Sequence, residues 1–346
     1  MDIEDKKDVL PTFTRGPAMT KMHKKLSLIA VLILAMLSAF LLISGYADAS
    51  APVLNPQDIR ENIYGSTIVS DAVFVMVGDR GKIFRSSDQG ATWQEIPSNT
   101  RRPLFSVSFS DSKNGWICGK SGLILNTTDG GMTWSAQDSG KKKQLFSIDF
   151  GDALRGCAVG DWGAIVRTED GGATWQDVSL SDDVVLYGVQ FANASEGWIA
   201  AEFGKIFKTK DGGLTWREGS EPSQEGKTFF CLTRDGDSLY AAGLDGVIVY
   251  SRDQGLTWAR ARNESVKSLY GITIRGQTGW AVGDAGTILR SADGGASWQM
   301  VETPKKNSLF WIGTVALKNS EPHEAIGFGA GANGLFLSIK YQTVTW

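Results

Sequence analysis

The stretch Ser86-Ser87-Asp88-Gln89-Gly90-Ala91-Thr92-Trp93 decides the fold, because its pattern Ser/Thr-x-Asp-x-Gly-x-Thr/Ser-Trp returns five more times. The later copies run Thr127 to Trp134, Thr168 to Trp175, Thr209 to Trp216, Ser251 to Trp258 and Ser291 to Trp298, with tryptophans 41, 41, 41, 42 and 40 residues apart. A self-similar period near forty with many short strands is the mark of propeller blades. The chemistry of the motif explains its regularity. In Asp-x-Gly the carboxylate accepts backbone N–H groups and the glycine takes a conformation closed to other residues, while Ser or Thr adds a local hydrogen bond and the Trp ring covers the turn. Asp88, Asp129, Asp170, Asp211, Asp253 and Asp293, with Trp93, Trp134, Trp175, Trp216, Trp258 and Trp298, are therefore read as structural staples. Placed one per blade around a ring, the aspartates cannot converge on one substrate.

Outward from each staple a longer frame repeats: an apolar strand, a turn, a second strand ending in Gly, a short tip, a third strand, then the staple. Leu104-Phe105-Ser106-Val107 and Leu145-Phe146-Ser147-Ile148 open blades, and Gly160-Asp161-Trp162-Gly163 is a tip; in blade four Ala201 replaces the first tip glycine. A seventh copy starts at Leu309-Phe310-Trp311-Ile312, keeps a glycine-rich tip from Gly329 to Gly334, and ends at Trp346 with its staple eroded. The expectation is an all-β, seven-bladed β-propeller with Asp-box (BNR-like) repeats over residues 57–346. Val53 to Arg60 is expected to pack beside blade seven or complete its outer edge, since an open ring leaves unpaired strand edges.

Residues 1–25 are polar and mixed in charge, and Leu26 to Ile43 form an apolar run interrupted by Ser27 and Ser38. Lys21, Lys24 and Lys25 stand directly before it, so the positive-inside rule keeps residues 1–25 cytoplasmic and sends the propeller across the membrane. Residues 26–46 are read as one transmembrane anchor or signal helix. The run is long enough to span a bilayer, while Ala47-Asp48-Ala49 is a small-x-small site for signal peptidase; the long leading tail favours a retained anchor. Residues 50–56 read as a linker.

With 346 residues, 41 glycines and 12 tryptophans, the remainder is one large all-β body, and a net charge of −3 gives no reason to expect nucleic acid. His23 and His323 are the only histidines, and Cys118, Cys157 and Cys231 lack metal-ligand spacing, so no cofactor or metal is expected. The cysteines are read as buried free thiols, with a bridge as the alternative. Tyr64, Tyr187 and Tyr270 recur at one frame position and are read as packing residues rather than nucleophiles. A glycosidase needs two opposed carboxyls, for which Asp79, Asp161, Glu202, Asp245 and Asp284 are the tip candidates. No such constellation is recognisable, and the chain is read as not an enzyme.

The frame Leu-Phe/Tyr-Ser/Gly-Val/Ile, Gly-Trp, Gly-Asp-x-Gly-x-Ile, Ser-x-Asp-Gly-Gly-x-Thr-Trp, repeated over about residues 57–346, resembles the photosystem II stability and assembly factor family. Those are seven-bladed propellers of the thylakoid lumen and bacterial periplasm, including relatives in bacteria without photosynthesis. The resemblance implies a non-catalytic, protein-binding assembly or stability factor for a membrane protein complex. Its expected partners are membrane-protein subunits or precursors of an envelope or thylakoid complex, and its expected place is the periplasm or lumen, anchored, or free in the periplasm if cut after Ala49. Sialidases and xyloglucanases share the staple alone. A glycan-binding or glycoside-hydrolase-type propeller is thus the alternative, and a scaffold subunit of an envelope transporter the third reading.

Second-hairpin tips and inter-blade connections share one rim of a four-stranded blade. In chain order the connections carry Arg101 and Arg102, then Lys141, Lys142 and Lys143, the acidic Asp182 and Asp183, Glu221 and Glu225 with Lys227, then Arg260 and Arg262 with Lys267, and finally Lys305 and Lys306. The tips add Arg80, Lys120, Trp162 and Phe203. Sign segregation along a ring steers a charged partner, and Arg with exposed aromatics dominates protein-binding hot spots, so the basic and aromatic residues are assigned to partner binding. A second basic series, Arg85, Arg167, Lys208 and Arg290, precedes the staples in register and is read mainly as a structural ladder of outward side chains, with partner contact as the lesser alternative.

Overall fold

The computed structural model describes residues 52–219, 226–302, 312–317, 326–340 and 343–345. The tail and apolar run of residues 1–46, both histidines, Glu221, Glu225, Lys305, Lys306 and Trp311 lie outside the described residues.

The described residues form seven antiparallel sheets, six of them with four strands in sequence order and blade one with a fifth strand added at its outer edge. Blade three shows the plan: Leu145–Phe150, Gly156–Gly160, Ile165–Thr168 and Gln176–Asp177. Its second strand is buried throughout, as it must be when both sheet faces are covered by neighbouring blades. Seven apolar clusters follow from this, one between each pair of adjacent blades; Val77 and Ile83 of blade one, for example, meet Leu104 and Ile117 of blade two. The glycine ending the second strand is a requirement of close approach. A Cβ at Gly160 would lie 1.8 Å from the Gln144 carbonyl oxygen. Blade four accommodates Ala201 at this point by opening φ to −141°, against −173° at Gly160.

Each staple forms as its chemistry requires. In blade three Asp170 Oδ1 accepts the Thr168 hydroxyl (2.8 Å) and the Thr174 N–H (2.8 Å), and Oδ2 accepts the Thr174 hydroxyl (2.6 Å). The same three bonds recur at Asp88, Asp129, Asp211, Asp253 and Asp293. Bonding from Thr174 and Thr257 holds the carboxyls of Asp170 and Asp253 down at about 2. The indole N–H of Trp93, Trp134, Trp216 and Trp298 closes on the carbonyl of the glycine three residues earlier, at 3.0–3.2 Å. Trp175 departs from this. Its ring is only half-buried and its N–H turns to Gln137 Oε1 of the preceding blade, 3.3 Å away.

In blades two to six the carbonyl that follows the staple aspartate is gripped by the preceding blade. Arg85 Nε donates to Gly130 (2.9 Å), Trp116 Nε1 to Gly171 (2.9 Å), and Arg167 Nε to Gly212 (2.6 Å). Further round the ring Trp198 and Lys208 donate to Gln254 (3.2 and 3.3 Å), and Tyr240 and Arg252 to Gly294 (3.0 and 2.5 Å). The reading of Arg85, Arg167 and Lys208 as outward side chains is thereby corrected. They reach sideways because an unpaired carbonyl at the blade seam must find a donor.

Ring closure takes the first of the two expected forms, packing beside blade seven, and not the second, completion of its outer edge. Val53–Leu54 pairs with Gln94 and Trp93 as a fifth, outermost strand of blade one, whereas blade seven fills its own outer position with Thr343–Thr345. The segment still touches blade seven: Ile59 is buried in a cluster with Phe328 and Ala330, and the Asn333 N–H donates to Asn62 Oδ1 at 2.9 Å. Stacking of Phe74 on Phe328, centroids 5.2 Å apart, closes the seam through side chains instead of exchanged strands.

Near the axis, Asp149 of blade three ties together blades two and four, accepting from the Ser108 hydroxyl (2.7 Å), Gln190 Nε2 (2.9 Å) and the Phe191 N–H (2.7 Å). Burial outweighs these bonds and pushes its carboxyl up to about 6. Cys118, Cys157 and Cys231 are free thiols whose pKa values burial pushes up.

Because Trp93 is 1 % exposed, Trp93→Ala is expected to cost about 3–5 kcal/mol in denaturant unfolding, and Trp175→Ala distinctly less. Deleting residues 53–60 removes an edge strand and a core isoleucine, so it should lower the melting temperature. Asp149 has a folded pKa above its ordinary 3.8, so the folded state holds the extra proton and stability falls as pH rises from about 4 to about 6. Melting curves across that window should show the wild-type protein losing stability relative to Asp149→Asn; parallel curves would contradict the assignment.

Candidate protein-binding rim

The tips are short 3-10 turns: Asp79–Gly81, Lys120–Gly122, Asp161–Gly163, Glu202–Gly204, Leu244–Gly246, Asp284–Gly286 and Ala332–Gly334. The chain must reverse between two strands within three residues, and the middle residue does so in the left-handed region at φ 52–59°. Backbone bonds such as Lys120 N–H to the Pro103 carbonyl and Gly163 N–H to the Val184 carbonyl set the tips beside the inter-blade connections. Tips and connections therefore share the rim opposite the staples, as the sequence frame requires.

Arg80, Trp162 and Phe203 occupy apices, and the two aromatics are 61 % and 59 % exposed. They belong to the adjacent blades three and four. Lys120 is exposed but is the first residue of its turn; Ser121 holds the apex. Arg101, Arg102 and Lys142 are exposed in the connections, with Arg102 Nη1 3.4 Å from the Ser121 carbonyl. Lys143 braces the aromatic tip by donating to the Trp162 carbonyl at 3.2 Å. Asp182 and Asp183 are exposed on the acidic side.

Some assigned residues lie elsewhere or are already engaged. Lys141 is 14 % exposed along its side chain and forms an ion pair with Asp177 at 2.5 Å, so its charge is largely spent within the protein. Arg260 lies in the outer strand Ala259–Arg260 of blade five, and the Arg262 backbone bonds to Ala296 and Trp298 of blade six. Both stand on the outer wall rather than the rim, because blade five's outer strand runs on to bridge the next staple.

The sequence reading missed Arg60. A cleft of about 310 Å³ is lined by Arg60, Arg80 and Arg101, together with Glu61 and Asp79. Glu61 takes Arg80 in an ion pair at 2.6 Å. Only the passage of residues 53–60 across the seam between blades seven and one brings Arg60 to this place. An adjoining cleft of about 720 Å³ on blade one and its connection to blade two adds Lys82, which pairs with Glu95 at 2.6 Å.

The axis holds a channel of about 440 Å³. Every inner strand of blades one to six slips register at one aromatic residue, and this bulge turns Tyr64, Phe105, Phe146, Tyr187, Phe230 and Tyr270 into a collar. Neighbouring ring centroids stand 5.1–5.7 Å apart. Burial raises the pKa of Tyr64, Tyr187 and Tyr270, in keeping with packing groups. Asp149 is the one carboxylate lining the channel among the described residues. Four tip carboxylates are bonded within their own blades: Asp79 to Asn62 and Tyr64, Asp161 to Gln144, Glu202 to the Val185 N–H, and Asp245 to Lys227.

Among solved structures the chain is similar to YCF48 bound to D1 peptide, with 23% identity, a TM-score of 0.65, and coverage of 84% of this chain and 96% of that one. YCF48 from Cyanidioschyzon merolae gives 16% identity and a TM-score of 0.63 over 81% of this chain and 96% of that one. The GH74 xyloglucanase from Xanthomonas campestris shares the propeller at 12% identity, with a TM-score of 0.68 over 84% of this chain and 54% of the enzyme. At these identities the likeness shows the fold, and no curated protein matches the sequence. The family described as photosynthesis system II assembly factor YCF48 matches residues 57–141, 86–185, 134–216 and 173–266. With that match spanning more than half of its length, this chain belongs to the photosynthesis system II assembly factor YCF48 family.

Proposed function

We propose that the chain is a non-catalytic assembly factor that holds a segment of a membrane-protein precursor against its tip rim, on the extracytoplasmic side of a membrane to which residues 26–46 anchor it. The observation that carries this reading is the pair Trp162 and Phe203, large aromatics kept about three-fifths exposed at left-handed apices. Left-handed backbone costs an L-residue with a Cβ roughly 1–2 kcal/mol, and glycine nothing. A bulky exposed ring there does nothing for the fold. Beside exposed Arg101, Arg102 and Lys142 it makes the mixture of anchor and charge found where proteins grip other proteins. The D1 peptide named with the related YCF48 supports a membrane-protein segment as the client.

A glycosidase reading draws only on shared architecture. Its two opposed carboxyls have no counterpart in the channel lining among the described residues, and Asp149 already accepts three hydrogen bonds.

The test is titration of a D1 peptide, read by fluorescence anisotropy, against the wild-type chain, the triple variant Arg101→Glu, Arg102→Glu, Lys142→Glu, and Trp162→Gly. Lys141 is left intact because reversing it would set two negative charges together at Asp177. The expected result is a loss of affinity of about tenfold or more in both variants, with the melting temperature held in the triple variant and held or raised in Trp162→Gly. Unchanged affinity would contradict the rim.

A further inference from the structure

Blade six presents two buried donors that have no acceptor among the described residues: the Trp280 indole N–H and the Arg290 Nε–H. They are cross-strand neighbours, and Trp280 is 0% exposed. Both are the counterparts of atoms that are used elsewhere in the ring. Trp198 and its cross-strand neighbour Lys208 converge on the Gln254 carbonyl, Trp116 Nε1 takes Gly171, and Arg85 and Arg167 use the same Nε to take Gly130 and Gly212. In each case the acceptor is the main-chain carbonyl just after the staple aspartate of the following blade.

Blade six is followed by the blade whose sequence has lost that turn. Phe336–Lys340 and Thr343–Thr345 are joined by two residues, where the other blades have a complete staple. Blade six has kept the grip, and blade seven no longer offers the handle. Buried donors left in this condition are rare in native proteins and call for an acceptor.

We propose that Trp280 and Arg290 form a socket for the main-chain carbonyl of a glycine-containing turn carried by a partner polypeptide, which supplies from outside the staple that blade seven lacks. A neutral carbonyl suits the place. The walls include Val282, Leu317 and Leu337, among which a free carboxylate would lose its hydration. Arg290, in the third strand Ile288–Ser291, is only half-buried, so the socket is approached from its side. The principle is that of partner complementation of an incomplete sheet, applied here to a turn.

The test is 1H–15N NMR of the indole resonances of the full-length chain, with Trp280 assigned through Trp280→Phe, which keeps an aromatic ring in the core. The probe is a cyclic peptide Ser-Ala-Asp-Gly-Gly-Ala-Ser-Trp, the sequence of this chain's residues 291–298. In the free protein the Trp280 indole proton is expected to lack the downfield hydrogen-bond shift of Trp116 and Trp198. Adding peptide should move it in a saturable way, with affinity falling about tenfold in Arg290→Gln while the Trp116 and Trp198 resonances stay in place. No movement at millimolar peptide would overturn the proposal. A Trp280 indole proton already shifted downfield in the free chain would also overturn it, since an acceptor would then be in place.

Discussion

Blades two to six are locked to their neighbours because the turn that folds each one leaves a backbone carbonyl facing the preceding blade. The staple carboxylate accepts the local N–H and hydroxyl donors, and in doing so it fixes the turn with the carbonyl of the next residue directed at the preceding blade. Arginine, lysine, tryptophan or tyrosine of that blade then satisfies it. The donor type varies because an acceptor at the end of a long side chain's reach is indifferent to which N–H or O–H arrives. Apolar packing between blade faces supplies most of the cohesion, and these polar joints fix the register in which the faces meet.

This division of labour frees the opposite rim. With the inter-blade joints set among the staples, tips and connections can carry residues that contribute little to stability, and the rigid ring holds them in fixed relation. Trp162 and Phe203 on adjacent blades, the exposed Arg101, Arg102 and Lys142, and the acidic pair Asp182 and Asp183 make up a surface divided by charge and anchored by aromatics. The axial channel has a different character. Its aromatic collar packs ring against ring around the axis, and the bonds of Asp149 tie three blades together.

The staples, the blade count and the tip positions were legible in the sequence because each is decided within a few residues by turn chemistry. What the sequence left hidden depends on contacts between distant segments. Val53–Leu54 joins blade one because the C-terminal strand already occupies blade seven's outer position, a competition between edges nearly three hundred residues apart that no local pattern records. Arg85 and Arg167 announce their periodicity but not their direction, since register along a strand does not say whether a long side chain reaches outward or across a seam. The same limit applies to the rim. Lys141 reads like Lys142 until Asp177 is placed beside it, and Arg60 joins Arg80 and Arg101 only when residues 53–60 cross the seam.

The central claim, that the tip rim holds a membrane-protein precursor, is tested most directly by site-specific photocrosslinking in native membranes. A benzophenone amino acid would be placed at Phe203 on the tip rim or, as the control, at Met132, which is 57% exposed on the staple rim. The account predicts a crosslink from position 203 to a membrane-protein subunit or precursor, and none to that protein from position 132. Crosslinking from position 132 alone, or equally from both, would contradict it.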